Sequence, residues 1–211
     1  MALELEEEYG YYKNFIYRTR KPRNSLVQKT GINDAPFVIS PNIGGTQIEH
    51  PAYSVWKAML ARCYSSNTKE RRPTYAGVIC CNEWLLFTTF ARWFKQNYID
   101  GYHLDKDLLI KDNKIYSPRT CIFIPPDINN FLTTSASTRG TLPLGVSMDG
   151  NSFRASIKSK YICNAADSLT AHKEWQKAKL EQAISFNFPP LQRVIDQLKF
   201  EIDNNLETTS L

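Results

Sequence analysis

The sequence has no CxxC pair and no cysteine pair joined to a suitably spaced histidine, although it holds five cysteines. Structural zinc sites are built from such closely spaced ligands, so a zinc-finger type of fold has little support. No apolar run approaches the roughly 18 residues that span a bilayer, and the charged start lacks the apolar core of a secretion signal. We therefore expect a soluble protein with no membrane partner, located in the cytoplasm, with reduced thiols.

What the sequence does contain is typical of folded, basic proteins. Its 211 residues are 42% hydrophobic and 22% charged, which argues against wholesale disorder and suits two small modules. The net charge of +5 favours polyanions as partners. An acidic stretch at Glu4–Glu8 precedes a basic stretch from Lys13 to Lys29. Residues 1–49 are therefore predicted to be a loop-rich arm with a basic segment.

Two helices are predicted from the spacing of apolar residues. Val55 and Met59 mark the first, over 51–65, and an aromatic stripe marks the second, over 82–97. The polar, basic segment between them, 65–76, is predicted to be a loop. The aromatic stripe could stack on nucleic acid bases, but its large apolar area also suits a hydrophobic core.

From residue 103 onward the pattern changes to short β-type segments. HLDKDLLI, over 103–110, and KIYSPRTCIFI are separated by the turn former Asp112-Asn113 and predict two antiparallel strands. Pro125 then opens an amphipathic segment that predicts a helix to about residue 133. The predicted order is strand, loop, strand, helix.

This order is the one that a ββα-metal nuclease needs. Such a site carries a general base and metal ligands on the strands and loop, and a further ligand on the helix. A divalent ion stabilises the charge that develops on the phosphate while the base activates water. The candidate residues are His103, Asp105, Lys106, Asp107, Asn113, Asn129 and Asn130.

Strand geometry narrows this set. Residues two apart on a strand point to one face, so His103, Asp105 and Asp107 are expected to converge while Lys106 faces away. His103 suits general-base chemistry, and Asp105 and Asp107 are the expected Mg²⁺ ligands. The alternative is that Asp105, Lys106 and Asp107 form ion pairs that hold the strand in place.

The last third of the sequence predicts a second module after a linker at Thr133–Thr141. Asp149-Gly150 is a strong tight-turn signal within strand-like sequence. SLTAHKEWQKAKLEQAI then predicts a helix capped by Ser168 or Thr170, in which Trp175 belongs to the core and His172 is structural. A final helix is predicted over about 189–204, followed by frayed residues.

The predicted strand after this turn has a basic face. Alternation places Arg154, Ser156 and Lys158 on one side, and a twisted sheet with such a face can lie in the major groove of DNA. The same charges also suit an ordinary solvated surface. The candidate DNA-binding residues are Arg139, Arg154, Lys158, Lys160 and Lys173.

Longer motifs add a family resemblance. The segment from His50 to Phe131, through PAYSVWKAMLARCYS, RRPTYAGV, NEW and LDKDLLIKDNKIYSPRTCIFIPPDIN, resembles phage and mobile-element proteins described as HNH-endonuclease-like. TRGTLPLGVSMDGNSFRASI resembles the apetala-type DNA-binding domain often fused behind such nucleases. The resemblance implies an α+β fold, with a ββα-metal (HNH-like) module over 50–133 and a three-stranded sheet plus helix over 139–185. The residues that follow are predicted to form a C-terminal helix and tail over 186–211.

The resemblance is incomplete at the catalytic motif. Where HNH sequences carry an Asp-His pair this chain has Asp105-Lys106, and Cys121 stands where an asparagine is usual. The helical asparagine is kept as Asn129. A lysine, with a reference pKa near 10.4, is a poor general base unless strongly desolvated.

Three functions follow as hypotheses. The first is a phage-type, Mg²⁺-dependent endonuclease or nickase acting on double-stranded DNA, with His103, Asp105, Lys106 and Asn129 as catalytic residues. The second is a DNA-binding protein without nuclease activity. The third is an interaction protein of a host or viral assembly, which would expose an apolar patch among Trp84, Trp93 and Phe94.

Overall fold

The computed structural model describes residues 2–9, 26–133, 141–158 and 160–211. The fold is mixed α+β with small sheets, as predicted, and it divides into two compact units, Met1–Phe123 and Ile124–Leu211. Within the described residues, no helix combines the length and the apolar character needed to cross a bilayer. Arg139 lies outside the described residues, and so does the predicted linker except for its two ends, Thr133 and Thr141.

The first unit is largely helical. In chain order its described elements are α1 (Ala2–Tyr9), β1 (Asn42–Ile43), β2 (Thr46–Gln47), α2 (Pro51–Tyr64), α3 (Ser66–Arg71), β3 (Ile79–Cys80), α4 (Phe87–Asn97), β4 (His103–Asp105), β5 (Ile115–Tyr116) and β6 (Ile122–Ile124), the last lying at the boundary between the units. Short 3₁₀ turns occupy Pro73–Tyr75 and Asn82–Leu85.

The described part of the second unit combines one sheet with three helices. Its elements are α5 (Pro126–Leu132), β7 (Val146–Asp149), β8 (Ser152–Ile157), β9 (Lys160–Ala165), α6 (Ser168–Ser185) and α7 (Gln192–Asp203), with a 3₁₀ turn at Pro189–Leu191. The predicted final helix is confirmed. The predicted cap of α6 is wrong, because Asp167 precedes both candidates and its carboxylate accepts the Thr170 N–H at 2.8 Å.

Helices α2 and α4 form the centre of the first unit. The predicted helix over 51–65 is confirmed, and the aromatic stripe of α4 is buried core, because Phe87, Phe90 and Phe94 are at most 5% exposed. The Trp56 indole donates to the Trp84 carbonyl at 2.6 Å and ties α2 to the turn before α4. The predicted loop after α2 is wrong in part, since Ser65 caps the short helix α3 through a bond from Thr68 N–H.

The strands of the first unit pair differently from the prediction. β4 pairs with β6, and α5 follows, so the order strand, loop, strand, helix is present. β5 does not join this pair but lies parallel to β3, with Ile79 opposite Ile115. β4 is also much shorter than the predicted strand over 103–110, and the Asp105 side chain explains why it ends.

The second unit packs its sheet on α6. β7, β8 and β9 form an antiparallel sheet, and the turn between β7 and β8 is Gly150-Asn151, one residue after the predicted Asp149-Gly150. Trp175 and Ala171 of α6 are buried against Val146 and Ala155 of the sheet. Trp175 is therefore a core residue, as predicted.

The C-terminal residues are held in place, contrary to the prediction that they fray. Thr208 is 2% exposed, its N–H donates to His172 Nε2 at 3.0 Å, and its hydroxyl bonds the Glu201 carboxylate. His172 Nδ1 bonds the Leu144 carbonyl at 2.8 Å. Both imidazole nitrogens are thus used inside the fold, as expected of a structural histidine.

Candidate functional site

Strand β4 ends at Asp105 because that side chain closes a turn. Its Oδ1 accepts the backbone N–H of Asp107 at 2.9 Å and of Leu108 at 2.7 Å. An aspartate that bonds the backbone ahead of it forms an Asx-type turn, which competes with a continuing strand. The predicted strand is therefore wrong beyond Asp105, and Asp107 does not share a strand face with His103 and Asp105.

Lys106 holds the loop that follows this turn. It is 5% exposed, and its ammonium donates to the Asp107 carboxylate and to the Asn113 main-chain carbonyl, the latter at 2.6 Å. The Asn113 amide donates to the carbonyls of Lys106 and Ile115, both at 2.8 Å. Buried charges are stable when they are paired and hydrogen-bonded. The expectation that Lys106 faces away is wrong, and the ion-pair alternative describes Lys106 and Asp107.

The two carboxylates differ in how well they suit a metal. Asp105 is partly buried, and burial raises its pKa, against the hydrogen bonds from Leu108 and Asp107 that act to lower it. Asp107 is a poor Mg²⁺ ligand because Lys106 already neutralises it. Within the described part of the chain, no group of three or more His, Cys, Asp or Glu side chains could hold a metal ion.

The other candidates of this region differ in exposure. His103 is exposed on β4, whereas Asn129 is partly buried on α5, in the second unit. Cys121 is buried, and burial raises its pKa to about 12. A thiol with that pKa stays protonated and is a weak ligand and nucleophile.

Sequence reasoning did not identify Arg62, whose charge interacts with that of Asp105. Arg62 lies in the last turn of α2, partly buried, and donates to the Tyr116 hydroxyl at 3.4 Å. Burial acts to lower the pKa of Arg62, but Tyr116, Tyr75 and Asp105 together raise it above its ordinary value. Arg62 has no periodic or motif signal of its own, because its neighbours come from distant parts of the chain.

The sheet of the second unit has one face on α6 and one face away from it. Val146, Ala155 and Cys163 are opposite one another across the three strands and face the core. Because side chains alternate along a strand, the neighbouring row of Ser147, Arg154 and Asn164 faces the other way. We call this second side the open face.

Arg154 is held in place at the centre of the open face. Its guanidinium lies 5.3 Å from the centroid of the Tyr161 ring, within cation–π range. The Asn164 amide donates to Asp149 Oδ2 at 3.1 Å. The open face therefore presents an arginine, an aromatic ring and an amide in fixed relative positions. Sequence reasoning missed Tyr161 and Asn164, because their places opposite Ser156 and Arg154 are set by the β8–β9 pairing, which has a register shift after Ala155.

The remaining candidate lysines lie at the tip of the β8–β9 hairpin and on α6. Lys158 follows the last residue of β8 with a φ of 55°, in the left-handed region, so the predicted alternation through Lys158 stops at Ile157. Lys158, Lys160 and Lys173 are all exposed. The hairpin tip between β8 and β9 therefore carries two exposed lysines. Arg139 lies outside the described residues.

The apolar patch required by the third hypothesis is not at the surface. Trp84 and Phe94 are buried at 1% and 5% exposure, and Trp93 packs against the same core.

Comparisons with family models, with curated proteins and with solved structures found no match for this chain.

Proposed function

We propose that this protein binds double-stranded DNA through the open face of the β7–β8–β9 sheet. The observation that carries the proposal is the row Ser147, Arg154 and Asn164, with Arg154 set against Tyr161. The sequence resemblance to apetala-type DNA-binding domains supports the same proposal.

The chemistry of this row suits the edges of DNA bases. Arginine donates two parallel hydrogen bonds to guanine, and asparagine both donates to and accepts from adenine. An arginine resting on an aromatic ring loses less freedom when it binds, because its plane is already oriented. The exposed Lys158 and Lys160 at the hairpin tip can contact phosphates. The open face thus combines base-reading and phosphate-holding groups.

The proposal predicts selective binding. Selection from a random duplex library should enrich sequences that share a short motif, and the Arg154→Ala variant should lose the preference for guanine at one position of it. Each lost arginine–guanine pair costs about 1–3 kcal/mol of discrimination. If the wild-type protein enriches no motif, or if Arg154→Ala keeps the same motif, the open face does not read DNA bases.

Metal-dependent cleavage at Asp105 is the second candidate. It is favoured by the position of His103 and Asp105 on one side of β4 and by the charge of Arg62, which interacts with that of Asp105. Mg²⁺ is often held by only one or two carboxylates together with substrate phosphates, so Asp105 alone suits such a role better than Asp107 does.

Supercoiled plasmid tests this second candidate. With Mg²⁺ present, wild-type protein should nick or cut the plasmid, and Asp105→Asn should abolish the cleavage while DNA binding stays the same or becomes slightly stronger, because a negative charge near phosphate is lost. Wild-type protein that neither cuts DNA nor binds Mg²⁺ in calorimetry would leave DNA binding without catalysis as the function.

A further inference from the structure

Arg62 is a partly buried cation whose known contacts do not neutralise it. Its described partners are the Tyr116 hydroxyl at 3.4 Å and the Tyr75 ring, whose centroid lies 6.0 Å from Arg62 Cζ. Neither group carries a negative charge at neutral pH. Across the described ranges of the chain, no carboxylate lies within ion-pair distance of Arg62.

Removing a cation from water is costly unless an anion accompanies it. The helix dipole at the C-terminal end of α2 offsets part of this cost, because Arg62 lies in the last turn. The negative charge of Asp105 also stabilises the Arg62 guanidinium, at longer range than an ion pair. A guanidinium has five N–H donors, and the single bond to Tyr116 leaves most of its hydrogen-bonding capacity for another partner.

The chain just after Arg62 adds further positive charge. Lys69, Arg71 and Arg72 belong to α3 or directly follow it, Arg71 and Arg72 are exposed, and Glu70 is the one acid in this stretch. The charge of Lys69 reaches Cys63, the residue after Arg62. An anion that approaches the end of α2 therefore meets several cations from two consecutive helices.

We propose that Arg62 binds a phosphodiester group of nucleic acid at the junction of α2 and α3. The inference rests on the proposed DNA binding for the class of its ligand, but it concerns a different unit from the open face. The planar fork of Arg62 matches two phosphate oxygens, while α3 supplies charge that attracts the backbone. Arg62 is thus a second contact to the nucleic acid, located in the first unit.

Nuclear magnetic resonance of the full-length protein tests this site directly. A short duplex is titrated at constant ionic strength while the Nε–Hε resonance of Arg62 and the amides of Arg154 and Asn164 are followed. The Arg62 resonance should shift and saturate, and inorganic phosphate should shift it less at the same concentration. Arg62→Gln should weaken duplex binding roughly fivefold or more, Arg62→Lys should restore part of it, and Lys95→Gln on α4 should have little effect.

The outcomes separate the two proposals. Saturating shifts at Arg154 and Asn164 without any at Arg62 would overturn the Arg62 site and leave the open face standing. Saturating shifts at Arg62 without any at Arg154 and Asn164 would overturn DNA binding by the open face and leave the Arg62 site standing. If Arg62→Gln lowers stability but Arg62 shows no saturable shift in the wild-type protein, the residue serves only to pack Tyr75 and Tyr116.

Discussion

At the scale of single residues, Gly145 fixes the packing of the second unit. Its φ is +75°, and a Cβ at this position would lie 1.9 Å from Trp175 Cδ1. Trp175 is buried, at 3% exposure, between the sheet and α6. Only glycine combines this backbone conformation with such a close approach.

We expect Gly145→Ala to destabilise the second unit by roughly 2–5 kcal/mol, because backbone strain and overpacking add. Gly150 is the matched control, since its φ is +58° and nothing lies within 4 Å of its added Cβ. Gly150→Ala should cost only about 1–2 kcal/mol. Urea unfolding followed by tryptophan fluorescence measures both, and equal losses would show that Trp175 does not constrain Gly145.

His50 makes stability depend on pH. It is 3% exposed, its Nδ1 accepts the Ala52 N–H at the start of α2, and burial lowers its pKa to about 4. Between its unfolded pKa of about 6.5 and this folded value, the unfolded chain takes up a proton that the folded chain does not. Stability should therefore be complete above pH 6.5 and fall as the pH drops towards 4.

The expected loss from His50 is at most about 3 kcal/mol. The variant His50→Asn keeps a capping acceptor but does not titrate, so its stability should change less over the same pH interval. Unfolding measured at pH 7, 6, 5 and 4 gives both profiles. Parallel profiles for the two proteins would mean that His50 is protonated as easily in the folded state as in the unfolded one.

At the scale of elements, the loop between β4 and β5 is organised by polar side chains. Asp105 closes the first turn, Lys106 bonds across the loop, and Asn113 uses both its amide and its oxygen, which accepts the Ile115 N–H at 3.1 Å. Hydrogen bonds from polar side chains leave no mark on the spacing of apolar residues. The spacing over 103–110 therefore predicts one strand, although only His103–Asp105 forms a strand.

We expect Asn113→Ala to cost about 1–3 kcal/mol, because several backbone groups of the loop lose their partners. The comparison variant is Asn97→Ala, which removes one exposed bond to the Trp93 carbonyl and should change stability by no more than about 0.5 kcal/mol. Thermal or urea unfolding compares them. A loss at Asn113 as small as that at Asn97 would mean that the loop does not depend on this side chain.

Elements with a regular apolar period were the most predictable. The helix predicted over 51–65 is Pro51–Tyr64, and the hairpin turn, Gly150-Asn151, lies one residue after the predicted Asp149-Gly150 turn. Periodicity and turn type act within a few residues, so the sequence records them directly. The parallel partner of β5 and the start of α4 depend on distant contacts, for example the bond from Thr88 N–H to Asp34 Oδ1 at 2.9 Å.

At the scale of the whole molecule, a candidate site residue was predictable from sequence only where a local pattern of strand or turn accompanies it. Arg154 was predicted because it lies in an alternating strand beside a recognisable turn. Arg62 was not, since its surroundings are formed by Tyr75, Tyr116 and Asp105, which are distant in sequence. Residue types alone located the carboxylates of 105–107 but not the turn and ion pair that give them different roles.

The central claim is that the open face binds DNA, and it is tested most directly by measuring the affinity for a DNA duplex at several salt concentrations. Wild-type protein should bind a selected duplex with nanomolar to micromolar affinity that weakens steeply with salt, because lysine and arginine contacts release counterions. Replacing Arg154 and Lys158 by alanine should weaken binding at least tenfold and reduce the salt slope. Replacing Lys177 and Lys199, exposed lysines on α6 and α7, removes the same charge and should change affinity less than about twofold. Equal affinities for the two double variants, or no binding by the wild-type protein, would contradict the claim.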